Sequence, residues 1–291
     1  MSVASDGELH GSIGGGLMEV NLVEKARALL SEPGAVATAS AHSELIQQVH
    51  QKHSPDASGM ICSGRQAVIL QLLTPADLES VDAIAGSLDR RMPAVFKVSD
   101  LRFQIVENAS ENSPRYFSKS NEDDFVYQER VAPANELIII GGGHCALALS
   151  GLMTGLNFRI RILDDRPELN TLLKNEFADD VTIVDSYENI GQYVPDDPNI
   201  FVAVMTLGYA SDAVVIRQLI GRDLRYFGVL GSKAKMATLM RELRFEGLDQ
   251  ERLATIHAPI GVMINSQTPE EIAVSIAAEI IAVRNAAEPP A

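Results

Sequence analysis

The sequence predicts an α/β protein: a C-terminal parallel sheet with helices on both faces, plus a smaller N-terminal domain of mixed α and β structure. From residue 136 onward, short apolar runs alternate with segments of helical periodicity, which is the pattern of a covered parallel sheet. The preceding stretch, 111–135, is acidic and rich in Ser and Asn, and predicts a linker. A chain of 291 residues is long enough for two domains, which we expect at 1–110 and 136–291.

The N-terminal domain contains two predicted strands and two predicted helices. LHGSI (9–13) reads as a short strand. A helix is predicted over 17–30, with one buried face formed by Leu17, Val20, Val23, Ala26 and Leu30. The segment 59–73 predicts a second strand. Thr74 and Pro75 then predict a helix over 74–88, because threonine caps helices and proline fits their first turn.

The C-terminal domain contains five predicted strands and five predicted helices. The strands are expected at 136–140, 158–163, 181–185, 199–206 and 225–231. The helices are expected at 144–156, 166–175, 211–221, 232–247 and 268–285. The last helix has the clearest start, since Thr268, Pro269 and Glu271 form a capping box with proline at the first helical position.

Composition excludes several classes of function. The net charge of −15 argues against binding to nucleic acid or to an anionic membrane surface. The N-terminus lacks the features of a secretory signal, and no apolar segment is long enough to span a bilayer. The two cysteines, Cys62 and Cys145, cannot build a disulfide framework or a C-x-x-C zinc site. We therefore expect a cytoplasmic protein.

A glycine-rich turn at the start of the C-terminal domain has the pattern of a dinucleotide-binding (Rossmann) fingerprint. Gly141 and Gly143 follow a buried strand and open a helix, and Asp164 ends the next strand. Such a turn lets a pyrophosphate approach the backbone, and the acid would accept hydrogen bonds from ribose hydroxyls. The alternative is a turn kept for packing alone. His144 is either a first helical residue facing the crevice or a catalytic base.

Two further places in the C-terminal domain are candidate contacts for a ligand. Ser232 and Lys233 open a helix after a glycine turn, which suits an anion by both dipole and charge. The alternative is a helix cap followed by solvated lysines. His257 precedes a proline-containing loop, where it either lines the crevice or makes a structural hydrogen bond.

Several blocks of the sequence together resemble one known family. GSIGGGLME, GMICSGR, IIIGGGHCALAL, DDRPE, FGVLGSKAK, IHAPIG and TPEEIAVSIAAEIIAVRN follow one another between Gly7 and Asn285. In that order they resemble the XdhC/CoxI family of xanthine dehydrogenase accessory factors. The resemblance implies a small N-terminal domain, a Rossmann domain and a cytoplasmic chaperone that needs no turnover of its own.

The resemblance also implies a ligand and partners. Members bind the molybdenum cofactor, a molybdopterin with a phosphate tail, while a cysteine desulfurase adds its terminal sulfur. They then deliver it to a molybdenum hydroxylase such as xanthine dehydrogenase. The second glycine turn would hold either the cofactor's tail or a separate nucleotide such as NAD.

The first glycine turn and one cysteine gain candidate roles from the resemblance. Gly14, Gly15 and Gly16 either present the pterin or form a tight turn under a packed helix. Glu19 is either a capping acid or a pterin contact. Cys62 either ligates molybdenum or carries persulfide sulfur, or it is a small core residue.

This sequence departs from the family pattern at several points. Relatives usually have further residues ahead of the position of Met1, so another chain could complete the small domain, and we expect a homodimer. Some ligand-facing basic and glycine positions are replaced, as in Gly231-Ser232-Lys233-Ala234-Lys235. Two other functions therefore stay open: an NAD(P)-dependent oxidoreductase with His144 or His257 as proton donor, and a nucleotide-sensing module.

Overall fold

The computed structural model describes residues 1–31, 43–50, 64–89, 94–99, 102–107, 116–119, 125–131 and 135–286. The chain divides into two compact units, Met1–Pro133 and Ala134–Ala291. Within the described ranges, no helix combines the length and the apolar character needed to cross a membrane.

The N-terminal unit combines small antiparallel sheets with two helices. Its strands are β1 (Ser2–Val3), β2 (Leu9–His10), β3 (Ser43–His50), β4 (Gly64–Gln71), β5 (Ala94–Ser99), β6 (Arg102–Glu107), β7 (Tyr116–Lys119) and β8 (Phe125–Val131). Its helices are α1 (Gly16–Ser31) and α2 (Leu78–Asp89), the latter entered through the 3-10 turn Pro75–Asp77. The pairs are β1 with β2 and β3 with β4, and the remaining strands form a sheet in the order β6-β5-β8-β7.

Two of these strands lie in the stretch that composition predicts as a linker. Strands β7 and β8 occupy part of 111–135, and β8 pairs along its length with β5. In FVYQERV the apolar residues Phe125–Tyr127 are followed by three polar ones, so the segment has no long apolar run. Phe125 is 2% exposed and packs inward, but composition over 111–135 hides this short strand.

Helix α1 buries only part of the face that its spacing predicts. Val23 and Ala26 are buried, as predicted, whereas Leu17 and Val20 are 53% and 50% exposed. Met18 and Leu22 are buried in their place. Both sets fit the helical period, so periodicity alone could not decide between them.

The C-terminal unit is a five-stranded parallel sheet with helices on both faces, which confirms the predicted fold class. Its strands are β9 (Asn135–Ile140), β10 (Phe158–Asp164), β11 (Asp180–Ile183), β12 (Asp197–Val204) and β13 (Leu224–Val229). Its helices are α3 (His144–Met153), α4 (Asn170–Leu173), α5 (Tyr209–Leu219), α6 (Lys233–Phe245), α7 (Gln250–Thr255) and α8 (Pro269–Asn285). The strand order is β11-β10-β9-β12-β13, so the chain reverses its direction of winding between β9 and β12.

The core of this unit has two layers because side chains alternate along each strand. On β9, Ile138 and Ile140 pack with helices α5 and α6. Leu137 and Ile139 face the other way and pack with α3 and α8. Strand β9 is buried on both faces, which is why its sequence reads as a continuous apolar run.

The helix predicted at 166–175 is only one turn long. Helix α4 spans Asn170–Leu173, and Leu173 is 71% exposed. Directly after it, the side-chain oxygen of Asn175 accepts hydrogen bonds from the amides of Phe177 and Ala178. This local turn competes with the helix for the same stretch of backbone.

Candidate functional site

The glycine turn after β9 lies where the strand order of the sheet reverses. Gly141 has a φ of 106°, a left-handed conformation that favours glycine. Its amide donates to the carbonyl of Leu163 at 2.8 Å, and a Cβ here would overlap the carbonyl group of Met205, just past β12. Close approach of two loops therefore requires glycine at this position.

Gly142 connects the turn to both neighbouring loops. Its amide donates to Oδ2 of Asp164 at 2.6 Å, and its carbonyl accepts from Oγ1 of Thr171 at 2.5 Å. A Cβ on Gly142 would overlap the side chain of Leu172. Contacts with Asp164, Thr171 and Leu172 thus fix the position of the turn.

The front of the turn is open at Gly143 and His144. Gly143 is the N-cap of α3, and no atom lies within 4 Å of the position that a Cβ would occupy. His144 is exposed, and the first helical hydrogen bond runs from the amide of Leu147 to Gly143 at 3.0 Å. The amides before it point out of the helix, and together with the helix dipole they favour an anion.

The predicted ribose acceptor, Asp164, is fully occupied within the chain. The side chain is 0% exposed. Oδ1 accepts from the amide and Nε of Arg166, both at 2.9 Å, and Oδ2 accepts from Nη2 of Arg166 at 2.7 Å as well as from Gly142. Burial raises the pKa of Asp164, but the bonds from Arg166 and Gly142 together hold it below its ordinary value.

The bonds to Asp164 change the role that the sequence predicts for it. In this arrangement the carboxylate orders the glycine turn and faces Arg166 rather than a ligand. A ribose hydroxyl could reach it only if Arg166 moved away. The adjacent acid, Asp165, is 39% exposed.

A second buried acid lies at the same end of the sheet, where the parallel strands have their carboxyl ends. Asp212, in the first turn of α5, is 1% exposed and accepts from Oγ1 of Thr206 at 2.6 Å and from Nζ of Lys235 at 2.7 Å. Burial raises the pKa of Asp212, although both partners act in the opposite direction. Because Thr206 also borders Gly141, this pair joins the glycine turn to the loop after β13.

The predicted anion site at Ser232 and Lys233 is partly used by the fold. Oγ of Ser232 accepts from the amide of Lys235 at 3.2 Å and so caps α6. The Lys235 ammonium is committed to Asp212. Lys233 is exposed at the first helical position, where it can meet an anion beside the turn.

His257 makes a structural contact away from the glycine turn. Its Nδ1 lies 3.1 Å from Oε1 of Glu279, and its ring lies 4.5 Å from that of Tyr226. The other oxygen of Glu279 accepts from the hydroxyl of Tyr226 and from the amide of Gly261 at 2.8 Å. The imidazole is 32% exposed, so one side of it stays accessible.

The first glycine loop binds a carboxylate of its own chain. Gly14, Gly15 and Gly16 have φ values of 124°, 74° and 73°, all left-handed. Oε2 of Glu19 accepts from Oγ of Ser12 at 2.6 Å and from the amides of Ile13 and Gly15 at 2.8 and 3.2 Å. The bond from Ser12 is the main reason that the pKa of Glu19 lies below its ordinary value.

The structure thus brings four of the predicted site residues together: Gly141, Gly143, His144 and Asp164. Cys62 lies outside the described residues. In the ranges that the structure describes, no group of three or more His, Cys, Asp and Glu side chains could hold a metal ion.

Sequence reasoning missed Arg166, Glu279 and Asp212 as residues of the site. One residue separates Arg166 from the acid that ends β10, and an arginine so close to a buried acid is a pairing signal. The apolar residues around Asp212 in α5 mark a buried position. Glu279 stands out as a charge within the apolar run of α8.

Comparison with known proteins finds similarity to one family over the segment that contains the site. Residues 137–280 match the family described as XdhC Rossmann domain. A relative called uncharacterized protein YqeB, from Escherichia coli strain K12, is 28% identical over 259 residues, covering 82% of this chain and 45% of that protein. A relative from Bacillus subtilis strain 168, described as a probable subunit of xanthine dehydrogenase, is 29% identical over 161 residues, covering 55% and 46% respectively. The chain spans less than half the length of these curated relatives.

A solved structure supports the fold of the described chain. A crystal structure described as a xanthine dehydrogenase from Bacillus halodurans superposes with a TM-score of 0.76. It is 22% identical, and the match covers 98% of this chain and 86% of that one. At this identity the likeness shows the fold alone.

Proposed function

We propose that this chain, whose residues 137–280 match the family described as XdhC Rossmann domain, is an accessory factor for a xanthine dehydrogenase-type molybdenum hydroxylase. In this role it binds the molybdenum cofactor, supports its sulfuration and delivers it to the hydroxylase. The observation that supports the proposal is the open helix N-terminus at Gly143 and His144, within the segment that matches the family.

The residues around the glycine turn fit the phosphate tail of a molybdopterin. The helix dipole of α3 and the outward-pointing first amides favour a dianionic group. His144 lies at the mouth of the turn with an exposed ring. Asp164 does not oppose an anion here, because Arg166 neutralises it.

Considered by itself, the N-terminal unit also has a candidate contact for a pterin ring. The glycine loop uses Oε2 of Glu19, while no bond to Oε1 is found among the described residues. A carboxylate held in this way can accept hydrogen bonds from pterin N–H groups through its outer oxygen. We also propose that Cys62 ligates molybdenum or carries sulfur, since a thiolate suits both tasks.

The proposed partners follow from the proposed task. Sulfuration needs a cysteine desulfurase as sulfur donor, and delivery needs an apo-hydroxylase as acceptor. We also propose a homodimer as the working form. None of these steps requires turnover by this chain.

An experiment with freshly released molybdenum cofactor tests the proposal. The purified protein is passed through gel filtration, and co-eluting molybdenum and oxidised-pterin fluorescence are measured. His144→Glu places a negative charge at the first helical position of α3 and should abolish retention. Gln250→Glu is the matched control, because Gln250 is also exposed at the first position of a helix.

The alternative functions predict a different result. If wild-type protein retains no cofactor but binds NAD, the proposal fails and a nucleotide-dependent enzyme or sensor replaces it. Nicotinamide absorbance in the presence of candidate substrates then separates those two. Equal cofactor retention by wild type and His144→Glu would move the site away from the glycine turn.

A further inference from the structure

We propose that a second anion site, unrelated to the glycine turn, lies at the amino-terminal end of β13 and binds a phosphate-bearing small molecule. A cavity of about 590 Å³ opens there. Arg222, Arg225 and Arg252 line it together with Thr255 and His257. The strands are parallel, and the glycine turn follows the carboxyl end of β9. The cavity therefore lies at the opposite end of the strands of the same sheet.

The charge of the cavity contrasts with that of the chain. The protein has 39 acidic and 24 basic residues, yet three of its arginines meet at this one concave surface. Asp223 is the acid that lines it. In the part of the chain that the structure describes, none of the three guanidinium groups forms an ion pair, so their charge is available to a ligand.

Backbone carbonyls hold the three arginines in place. Nη2 of Arg222 donates to the carbonyl of Gly191 at 2.6 Å, and Nη1 of Arg252 donates to that of Ile220 at 3.1 Å. Nη2 of Arg225 lies 3.4 Å from the carbonyl of Arg284. Each contact uses one of the five N–H donors of a guanidinium and leaves the others for an anion.

The guanidinium groups that line the cavity can be reached by a ligand. Arg252 is exposed and Arg225 is half-buried. A planar guanidinium matches the oxygens of a phosphate, so the remaining N–H groups of these two arginines can bind a phosphate-bearing molecule.

The test is calorimetric titration of the full-length protein with inorganic pyrophosphate and, separately, with ADP. The double variant Arg225→Gln/Arg252→Gln should weaken binding about tenfold for each arginine lost, because charge-assisted hydrogen bonds dominate such sites. Arg241→Gln is the matched control, since Arg241 is exposed on α6 and does not line the cavity. The variant Arg225→Lys/Arg252→Lys keeps the charge and should retain part of the affinity.

Variants at the two ends of the parallel strands decide between the sites. Binding that survives His144→Glu and is lost in the double variant supports the proposal, whether or not the molybdenum cofactor is retained. Tighter binding of ADP identifies a nucleotide, and equal affinities identify a free phosphate compound. Absence of binding, or binding that the double variant leaves unchanged, would overturn the proposal.

Discussion

The two glycine loops of this protein are alike in sequence and different in what they require of glycine. In Gly14–Gly16 the requirement is conformational, because all three residues have left-handed φ values. A Cβ at Gly14 or Gly15 would meet nothing within 4 Å. At Gly141 the requirement is also steric, since the backbone of Met205 fills the place that a Cβ would take.

The two loops also differ in what they bind. The first loop binds Glu19, and the amides that donate to this carboxylate are no more than six residues from it in the sequence. In the second loop, Gly142 donates to Asp164 at the end of the next strand, while the space around Gly143 stays open. A run of glycines therefore indicates close approach, and only the neighbouring acids tell whether the loop has already bound a carboxylate.

The largest effect is expected for Gly141→Ala. The added methyl group would overlap the carbonyl of Met205, and the residue would keep an unfavourable φ of 106°. We expect the free energy of unfolding of the C-terminal unit to fall by about 3–5 kcal/mol. Urea denaturation of the full chain measures it.

The matched control is Gly143→Ala, two residues further along. Gly143 has a φ of −70° and open space around it, so the loss should stay below about 1 kcal/mol. Equal losses for the two variants would contradict the steric account of the second loop.

Arg166→Met should give the next largest effect. It leaves the Asp164 carboxylate buried with the backbone amides of Gly142 and of residue 166 as its remaining partners. Removal of one partner from a buried ion pair is strongly destabilising, and since Arg166 is itself 32% exposed we expect about 2–3 kcal/mol. Asp165→Asn, at the more exposed neighbouring acid, should cost much less in the same denaturation experiment.

The pH dependence of stability should be weaker in this variant than in the wild type. In the wild type the pKa of Asp164 is lower in the folded state, so its stabilisation is present above the unfolded pKa and lost as the pH falls through the folded pKa. Without the Arg166 side chain, only the two backbone amides oppose the effect of burial, so the folded pKa of Asp164 should rise. Less stability would then be lost as the pH falls. Parallel curves for both proteins would contradict this prediction.

A smaller effect is expected for Gly15→Ala in the first loop. The methyl group has space, so the cost is the left-handed conformation alone, about 1–2 kcal/mol. Gly15→Asn should lose less, because asparagine tolerates this conformation. Thermal unfolding that ranks alanine and asparagine as equal would show that the φ of 74° does not set the cost.

The smallest effect is expected for Glu19→Gln. A neutral amide accepts weaker hydrogen bonds than a carboxylate, so the amides of Ile13 and Gly15 should exchange with solvent faster. Glu24→Gln, an exposed position on the same helix, is the control and should leave their exchange unchanged. In the wild type the same amides should lose protection as the pH falls through the lowered pKa of Glu19.

The sequence predicts the C-terminal unit much better than the N-terminal one. Buried parallel strands such as β9 and β12 are continuous apolar runs, and capped helices such as α8 carry their boundaries in three residues. Strand β8 contains three consecutive polar residues, so composition over a window hides it. Helix α1 forms where it is predicted, but its buried face is predicted only in part, because two stripes offset by one residue share one period.

The site could be located from the sequence but its contacts could not. Gly141 and Gly143 mark the loop by spacing alone, and the structure places them where that spacing predicts. Whether Asp164 faces a ligand or Arg166 depends on the side-chain rotamers of these two residues, which lie two positions apart in the sequence. The pairing of Asp212 with Lys235 depends on how α5 meets α6, which no local pattern encodes.

The segment around His257 has a consequence for how this unit meets other sheets. His257 donates its amide to Phe227 and accepts from Val229, and Ile260 donates to Val229, all at 2.9 Å. These bonds occupy the outer side of the carboxyl-terminal half of β13, where the backbone offers no template for a strand from another molecule. At the opposite border, β11 is four residues long and begins with Asp180. Among the described residues, one border of the sheet is partly covered and the other is short and begins with a charge, two established protections against aggregation.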